Sequence, residues 1–261
     1  MLFLLPPSET KAVGGSGLTI GQVALTFGAL NPAREAVLEA LTKLCIDEAS
    51  AVKALKLGAK QHHEVQSNLR ISSAPLMPAV LRYTGTLFDA LNGRGLKGTP
   101  TEFNELDTDS LKRAREMVLI QSALFGLINA TDLIPEYRLS ATTALPGLNL
   151  KKVWAAAHQE VWPRISNGII IDLRSKAYAD FAPIGEGIES YSVDVLVEQP
   201  DGSRAPLNHF NKKAKGQLVR AALLAETAPQ TLAELALCAS SVGLKLEQNG
   251  NQLLLITRQA T

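Results

Sequence analysis

A cluster of lysines in the last quarter of the chain is the clearest candidate for a binding surface. Lys212, Lys213 and Lys215 lie within the segment NHFNKKAKGQLVR, which ends at Arg220. Residues 211–225 have a helical pattern, so the lysines fall in a first helical turn, where positive charge opposes the helix dipole. This cost to the helix favours a functional interpretation, the binding of phosphate or another anion beside the unpaired N–H groups of that turn. The alternative is a solvated basic helix face.

Polar side chains follow two predicted buried strands, residues 1–5 and 168–173. Ligand sites in α/β folds lie at the carboxyl ends of strands, so the loops that follow these strands could meet in one pocket. Such a pocket would offer a carboxylate, a hydroxyl group and cations, which suits an active site. The spacing identifies no particular reaction. The candidate catalytic residues of the two loops are Ser8, Glu9, Asp172, Ser175 and Tyr178.

A second concentration of charge is the segment DLIPEYR, residues 132–138. Asp132 could cap a turn that Pro135 stiffens, and Arg138 offers a planar fork that matches a carboxylate or a phosphate. The alternative is a structural pair of Asp132 and Arg138 that holds the loop. We include Arg138 and Arg220 with the three lysines as predicted contacts to a phosphate or another anion.

The sequence gives little support for a metal or a cofactor. His62, His63 and Glu64 are adjacent, but neighbouring residues of a helix point apart and no partner pair has ligand spacing. The chain has no P-loop, no G-x-S-x-G, no dinucleotide fingerprint and no zinc-finger pattern. We therefore expect no metal and no cofactor.

The elements that must position these residues alternate between strand and helix in the first part of the chain. Further on, residues 190–198 alternate apolar and polar residues before the turn Pro200-Asp201-Gly202, and Asn249-Gly250 predicts a hairpin. We predict an α/β protein with one compact domain over residues 1–261 and a mixed central sheet surrounded by helices. Antiparallel strands and a hairpin are expected in its C-terminal half. The remaining predicted elements are helices at 32–57, 83–91, 151–161 and 232–239, and a strand at 117–122.

Composition excludes several classes of protein. The 261 residues are 46% hydrophobic and 20% charged, which suits a globular core, and two cysteines do not make a secreted disulfide framework. Proteins that coat nucleic acid usually have a strong excess of lysine and arginine, and this chain has a net charge of only +1. Any anion binding must therefore depend on local clusters of basic residues. The first apolar run is too short for a signal peptide or a membrane span. We expect a cytoplasmic protein with no membrane partner.

Six stretches, taken in order, resemble the YaaA family of bacterial cytoplasmic proteins, which are associated with the response to hydrogen peroxide. They are LLPPSETK, RYTGTLFDAL, SALFGLINATDLIPEYRL, the helix that contains VW, IIIDLRSKAYADF and HFNKKAKG. The match spans nearly the whole chain, and DLIPEYRL and KKAKG are its most specific parts.

The resemblance implies a single compact α/β domain with a positively charged cleft, a helix-hairpin-helix-like element and binding to double-stranded DNA. It also implies a role in lowering free iron, which limits Fenton damage to DNA. The positions that it implies are Asp132, Tyr137, Arg138, Ser175, Tyr178, Lys212, Lys213, Lys215 and Gly216.

The chain departs from the better-known branch of the family at both predicted strand ends. That branch has S-P-A-K after the first strand, where Pro-Pro-Ser-Glu stands here, so that Glu9 replaces a lysine and Lys11 could compensate. The N-x-A-S-x-E-Y stretch is replaced by residues 172–178, which gain Arg174 and carry Ala177 in place of the glutamate. The changes keep the region ionic and rearrange its signs.

The sequence is therefore compatible with two functions. The first is a stress protein that binds duplex DNA without sequence preference, because lysine contacts to phosphates carry no sequence information. The second is an enzyme that acts on a nucleotide or another phosphorylated small molecule in the same cleft. For both, we expect the lysine segment to share that cleft with Arg138 and the 172–178 loop.

Overall fold

The computed structural model describes residues 1–94, 108–165, 168–206 and 211–258. The strands are β1 (Leu2–Leu5), β2 (Met77–Pro78), β3 (Val118–Ser122), β4 (Gly126–Asn129), β5 (Leu133–Ile134), β6 (Ile170–Asp172), β7 (Ser190–Glu198), β8 (Arg204–Pro206), β9 (Lys245–Asn249) and β10 (Gln252–Arg258). The helices are α1 (Asn31–Ile46), α2 (Glu48–Leu55), α3 (His63–Leu69), α4 (Ala79–Arg82), α5 (Thr86–Leu91), α6 (Thr108–Met117), α7 (Leu150–His158), α8 (Trp162–Ile165), α9 (Lys176–Phe181), α10 (Asn211–Leu224) and α11 (Leu232–Ser241). Three short 3-10 turns cover Ile20–Gln22, Gly28–Leu30 and Ala59–Gln61. No described helix is long and apolar enough to cross a membrane.

Eight of the strands form one mixed sheet in the order β4-β3-β1-β6-β7-β10-β9, with β8 paired to β7. The strands β3, β1, β6, β7 and β10 run parallel, while hairpin partners at β4, β8 and β9 run antiparallel. Strands β2 and β5 form a separate antiparallel pair. The predicted fold class, a mixed α/β sheet with helices around it, is confirmed.

Strand β1 lies inside the parallel part, between β3 and β6, and is apolar on both faces. Phe3, Leu4 and Leu5 are all buried, as expected for a strand covered on both sides. Its register places Leu5 beside Ile120 of β3 and Leu4 beside Asp172 of β6. The chain therefore leaves β1, β3 and β6 at one edge of the sheet, which brings the loops after β1 and β6 close to each other.

Two predicted helices are broken in the structure. The helix expected over 32–57 divides into α1 and α2 at Asp47, whose carboxylate accepts the N–H of Ala49 and so begins a new helix. Helix α1 begins at Asn31, one residue before the predicted start, and Leu30 precedes it. The helix expected over 83–91 begins only at Thr86, after Gly85 with φ of +96°.

Helix α10 packs against α5 at very short range. A Cβ atom added at Gly216 would lie 2.2 Å from the carbonyl oxygen of Leu87 and 2.9 Å from Cβ of Ala90. Any side chain at this position would push the two helices apart. The glycine of the KKAKG segment is thus explained by helix packing.

We predict that Gly216→Ala destabilises the protein by about 1–3 kcal/mol, the usual cost of overpacking. This loss should appear although alanine gains about 1 kcal/mol of helix propensity over glycine. The free energy of unfolding from denaturant titration measures it. Gly21→Ala is the control, since its Cβ would have no atom within 4 Å, and equal stability of the two variants would contradict the packing argument.

Candidate functional site

The loops after β1 and β6 meet at the carboxyl edge of the sheet. Burial raises the pKa of the Tyr178 phenol on α9. The nearby charge of Glu9 also raises it, and that of Arg138 lowers it. The structure therefore brings Glu9 and Tyr178, predicted from two separate loops, into one cluster with Arg138.

Arg138 lies between two carboxylates of its own chain. Its Nη2 is 2.8 Å from Oε2 of Glu9, and its Nη1 is 3.3 Å from Oε2 of Glu64. The Arg138 side chain is 7% exposed and that of Glu9 is 64% exposed, so the pair joins a buried guanidinium to the solvent-facing loop. The fork expected to bind an external anion is thus occupied by the protein's own carboxylates.

Asp132 has a different set of partners from the one considered in the sequence. Its oxygens accept the N–H of Thr26 at 2.9 Å, the hydroxyl of Thr26 at 2.7 Å and the N–H of Asn129 at 3.0 Å. Among the ion pairs of the described residues there is none between Asp132 and Arg138. Asp132 instead fastens the segment that precedes α1 to the turn after β4.

A chain of hydroxyl groups lies under the Arg138 cluster. The Tyr137 hydroxyl is 2.7 Å from that of Tyr83 and 2.8 Å from Oγ of Ser122. Burial raises the pKa of both phenols, which keeps them protonated at neutral pH. The rings of Tyr137 and Tyr83 form a rigid floor, because Tyr137 is also held edge-on against Phe125.

The amine of Lys11 lies over this floor. Its Nζ donates to the carbonyl oxygens of Ser8 at 3.0 Å and Glu9 at 3.2 Å, and it lies 4.2 Å from the centre of the Tyr137 ring. Burial, followed by the positive charge of Arg138, lowers the pKa of Lys11 from its ordinary 10.5 to about 7. Lys11 is therefore only partly protonated at neutral pH.

The 172–178 loop is organised by a buried ion pair. Asp172 accepts two hydrogen bonds from the Arg174 guanidinium, from Nε at 2.9 Å and from Nη2 at 2.8 Å. Arg174 also donates to the carbonyl oxygen of Ala182 at 2.6 Å, which ties the loop to the end of α9. Asp172 is thus committed to a structural contact, while Ser175 is exposed at the start of α9.

The cations of α10 fall into an exposed pair and two residues whose side chains hold backbone carbonyl oxygens. Lys212 and Lys213 are exposed and have no ion pair among the described residues. Lys215 donates to the carbonyl oxygen of Leu173 at 3.1 Å, and burial lowers its pKa. Arg220 is buried and donates to the carbonyl oxygen of Leu91 at 3.0 Å, which argues against the phosphate contact expected from the sequence.

A small pocket connects Lys212 with the loop after β1. Its volume is about 210 Å³, and Ser8, Thr10, Thr84 and Thr86 line it together with Lys212. Among the described residues that line it, Lys212 alone is charged. Residues 207–210, which include the histidine of the HFNKKAKG stretch, lie outside the described residues.

Reasoning from sequence missed the roles of Glu64, Tyr83 and Arg174. In the sequence Glu64 stands beside two histidines, and its contact with Arg138 joins residues 74 positions apart, which no local pattern indicates. The sequence predicts Lys11 only as a compensating charge, although a lysine directly after a polar turn at the end of a buried strand is a signal that could have found its place in the site. The described residues contain no group of three His, Cys, Asp or Glu side chains that could hold a metal ion.

We predict that Arg174→Met lowers the free energy of unfolding by about 3–5 kcal/mol, because the Asp172 carboxylate would stay buried without its partner. Chemical denaturation measures this loss. Lys176→Met, in the same loop, is the matched control, because its contact with Asp180 is exposed and contributes about 0–1 kcal/mol at most. Wild-type stability of Arg174→Met would show that the pair does not organise the loop.

Comparison with known proteins identifies the family. Residues 1–249 match the family model described as "Peroxide stress protein YaaA". A UPF0246 protein of Corynebacterium glutamicum is 37% identical over 256 residues, which cover 96% of each chain. A UPF0246 protein of Streptomyces coelicolor is 38% identical over 251 residues, covering 95% of this chain and 92% of the relative. The chain belongs to the family of the peroxide stress protein YaaA.

Proposed function

We propose that this member of the peroxide stress family binds double-stranded DNA without sequence preference, in the bacterial cytoplasm, and thereby limits iron-dependent oxidative damage. The observation that carries the proposal is the exposed pair of lysines, Lys212 and Lys213, in the first turn of α10. The DNA and iron parts of the role also draw on the resemblance of the sequence to the family.

The rigidity of α10 supports this proposal. Gly216 allows the helix to pack directly on α5, Arg220 holds the carbonyl of Leu91, and Lys215 holds the carbonyl of Leu173. The helix backbone that carries the two exposed ammonium groups is already ordered, so little of its conformational freedom is lost when they contact a phosphate. The first turn of a helix also has N–H groups without intrahelical acceptors, and together with the helix dipole they favour an anion.

The small number of available cations sets the expected strength of binding. Arg138 and Arg220 are both occupied inside the protein, so the described part of the lysine segment offers two fully exposed cations. Each phosphate contact contributes about 0.9 to the slope of log affinity against log salt. The two lysines should therefore give modest binding with a slope of only about 2, in agreement with a net charge of only +1.

The double variant Lys212→Ala, Lys213→Ala should reduce the magnitude of this slope by about 2, equally for duplexes of different sequence. Fluorescence anisotropy of a labelled duplex at several salt concentrations measures the slope. Loss of folding should not interfere, because alanine favours a helix and the substitutions remove charges that oppose its dipole.

The matched control is Lys53→Ala, Lys60→Ala, which removes the same net charge from exposed positions in and after α2. Its slope should equal that of the wild type. If both double variants change the slope by the same amount, the effect is one of net charge and the proposed surface is wrong.

A second function, an enzyme that acts on a nucleotide or another phosphorylated small molecule, is favoured by the pocket beside Ser8. Its hydroxyl groups and Lys212 could hold a phosphate, and its volume of about 210 Å³ suits a small fragment rather than a whole drug-sized ligand, for which about 300–1,000 Å³ is usual. In the same anisotropy assay, displacement of the duplex by micromolar nucleotide, at constant ionic strength, would favour this function over DNA binding.

A further inference from the structure

We propose that the side-chain amine of Lys11 is a nucleophile that forms an imine with a small aldehyde or ketone carrying an anionic group. The inference does not depend on DNA binding, and it concerns a residue that neither the lysine segment nor the predicted catalytic set includes.

The first support is the way in which the amine is held. Nζ of Lys11 is fixed by the carbonyl oxygens of Ser8 and Glu9 at 3.0 and 3.2 Å, over the aromatic rings of Tyr137 and Tyr83 at 4.2 and 5.4 Å. Lys11 itself is half-buried. A flexible surface lysine has no such constraint, so the amine of Lys11 is positioned before any ligand arrives.

The second support is the lack of a carboxylate partner. Glu9 and Glu64, the acids that surround Lys11, both pair with Arg138. Among the described residues Lys11 forms no ion pair. Nothing in this part of the chain neutralises the ammonium form directly, while Arg138 repels it.

The electrostatic result is an amine of which a large fraction is neutral at physiological pH. Desolvation and the charge of Arg138 outweigh the attraction of Glu64, Glu9 and Glu136 and bring the pKa of Lys11 to about 7. A lysine with an ordinary pKa of about 10.4 has only about one part in a thousand as free amine at pH 7.5. Lowered pKa values of this kind activate lysines toward carbonyl groups.

The bond changes balance without any further reagent. The nitrogen lone pair forms a C–N bond as the carbonyl π pair moves to oxygen, and the two amine hydrogens leave with that oxygen as water. The imine then takes a proton from solvent. That proton is the one N–H of the resulting iminium, which can donate to the carbonyl of Ser8, and the positive charge faces the Tyr137 ring as the ammonium did.

The class of ligand follows from the surroundings of Ser8. Its carbonyl oxygen holds the amine of Lys11, while the residue also lines the 210 Å³ pocket that contains Lys212. Lys11 does not itself line the pocket, so the ligand would extend past Ser8, with its carbonyl group at Lys11 and its carboxylate or phosphate beside Lys212 and the pocket hydroxyls. A small pocket restricts the ligand to a few carbon atoms.

Reductive trapping tests the proposal on the wild-type chain. The protein is incubated with glyoxylate and sodium cyanoborohydride at pH 7.5, and each lysine is quantified by peptide mapping. Fragment spectra separate Lys11 from the α-amino group of Met1 in the same peptide. We expect Lys11 to be modified about tenfold faster than Lys53, an exposed lysine, and Lys11→Met to remove this fast modification.

The pH dependence provides a readout that a structural role would not change. The groups that face Lys11 are Arg138, Glu9, Glu64, Glu136, Tyr83 and Tyr137. Because the amine is reactive only when neutral, the rate at Lys11 should rise with pH to a plateau with a midpoint near 7. The rate at Lys53 should still be rising at pH 9.

Two results would overturn the proposal. Modification of Lys11 no faster than that of Lys53, or a midpoint above pH 9, would show that the amine is not activated. Equal trapping of glyoxylate and of uncharged acetaldehyde at Lys11 would refute the assignment of an anionic ligand. These measurements need no variant, so they hold even if Lys11→Met does not fold.

Discussion

The placement of Arg138 between Glu9 and Glu64 determines the chemistry at the carboxyl edge of the sheet. A buried guanidinium is costly unless carboxylates compensate it, and here both nearby acids do so. The same contacts hold the loop after β1 in place, because Glu9 belongs to it. Since both acids pair with Arg138, Lys11, two residues after Glu9, has no carboxylate partner among the described residues. The positive charge of Arg138 repels its ammonium form.

Helix α10 separates cations that maintain the fold from cations that can meet a ligand. Arg220 and Lys215 use backbone carbonyl oxygens as partners, and Gly216 removes the side chain that would keep α10 away from α5. The first helical turn then presents Lys212 and Lys213 to solvent. Lys212 also borders the pocket at Ser8, so a phosphate of DNA and the anionic group of a small molecule would compete for the same side chain.

Much of the sheet and part of the site could be predicted from the sequence. The apolar runs at β1, β3 and β6 have no helical period and are bounded by turn residues, which placed Ser8, Glu9 and Asp172 at strand ends. The sequence does not predict the break at Asp47, because the apolar spacing of a helix continues across it. The N-cap hydrogen bond of Asp47 nevertheless begins a new helix. The sequence predicts that Arg138 and Arg220 bind an anion, whereas the structure gives both side chains partners inside the protein. Both side chains are buried, and each pairs with a residue 129 positions away, which leaves no local pattern in the sequence.

The most direct test of DNA binding at this surface is a titration of the ¹⁵N-labelled protein with a short DNA duplex, followed by amide chemical shifts. We predict that the largest shifts fall on Lys212, Lys213 and their neighbours at the start of α10, and next on Ser8 and Thr10. Shifts confined to the opposite end of the sheet around the β9–β10 hairpin, or no shifts at low salt, would contradict it.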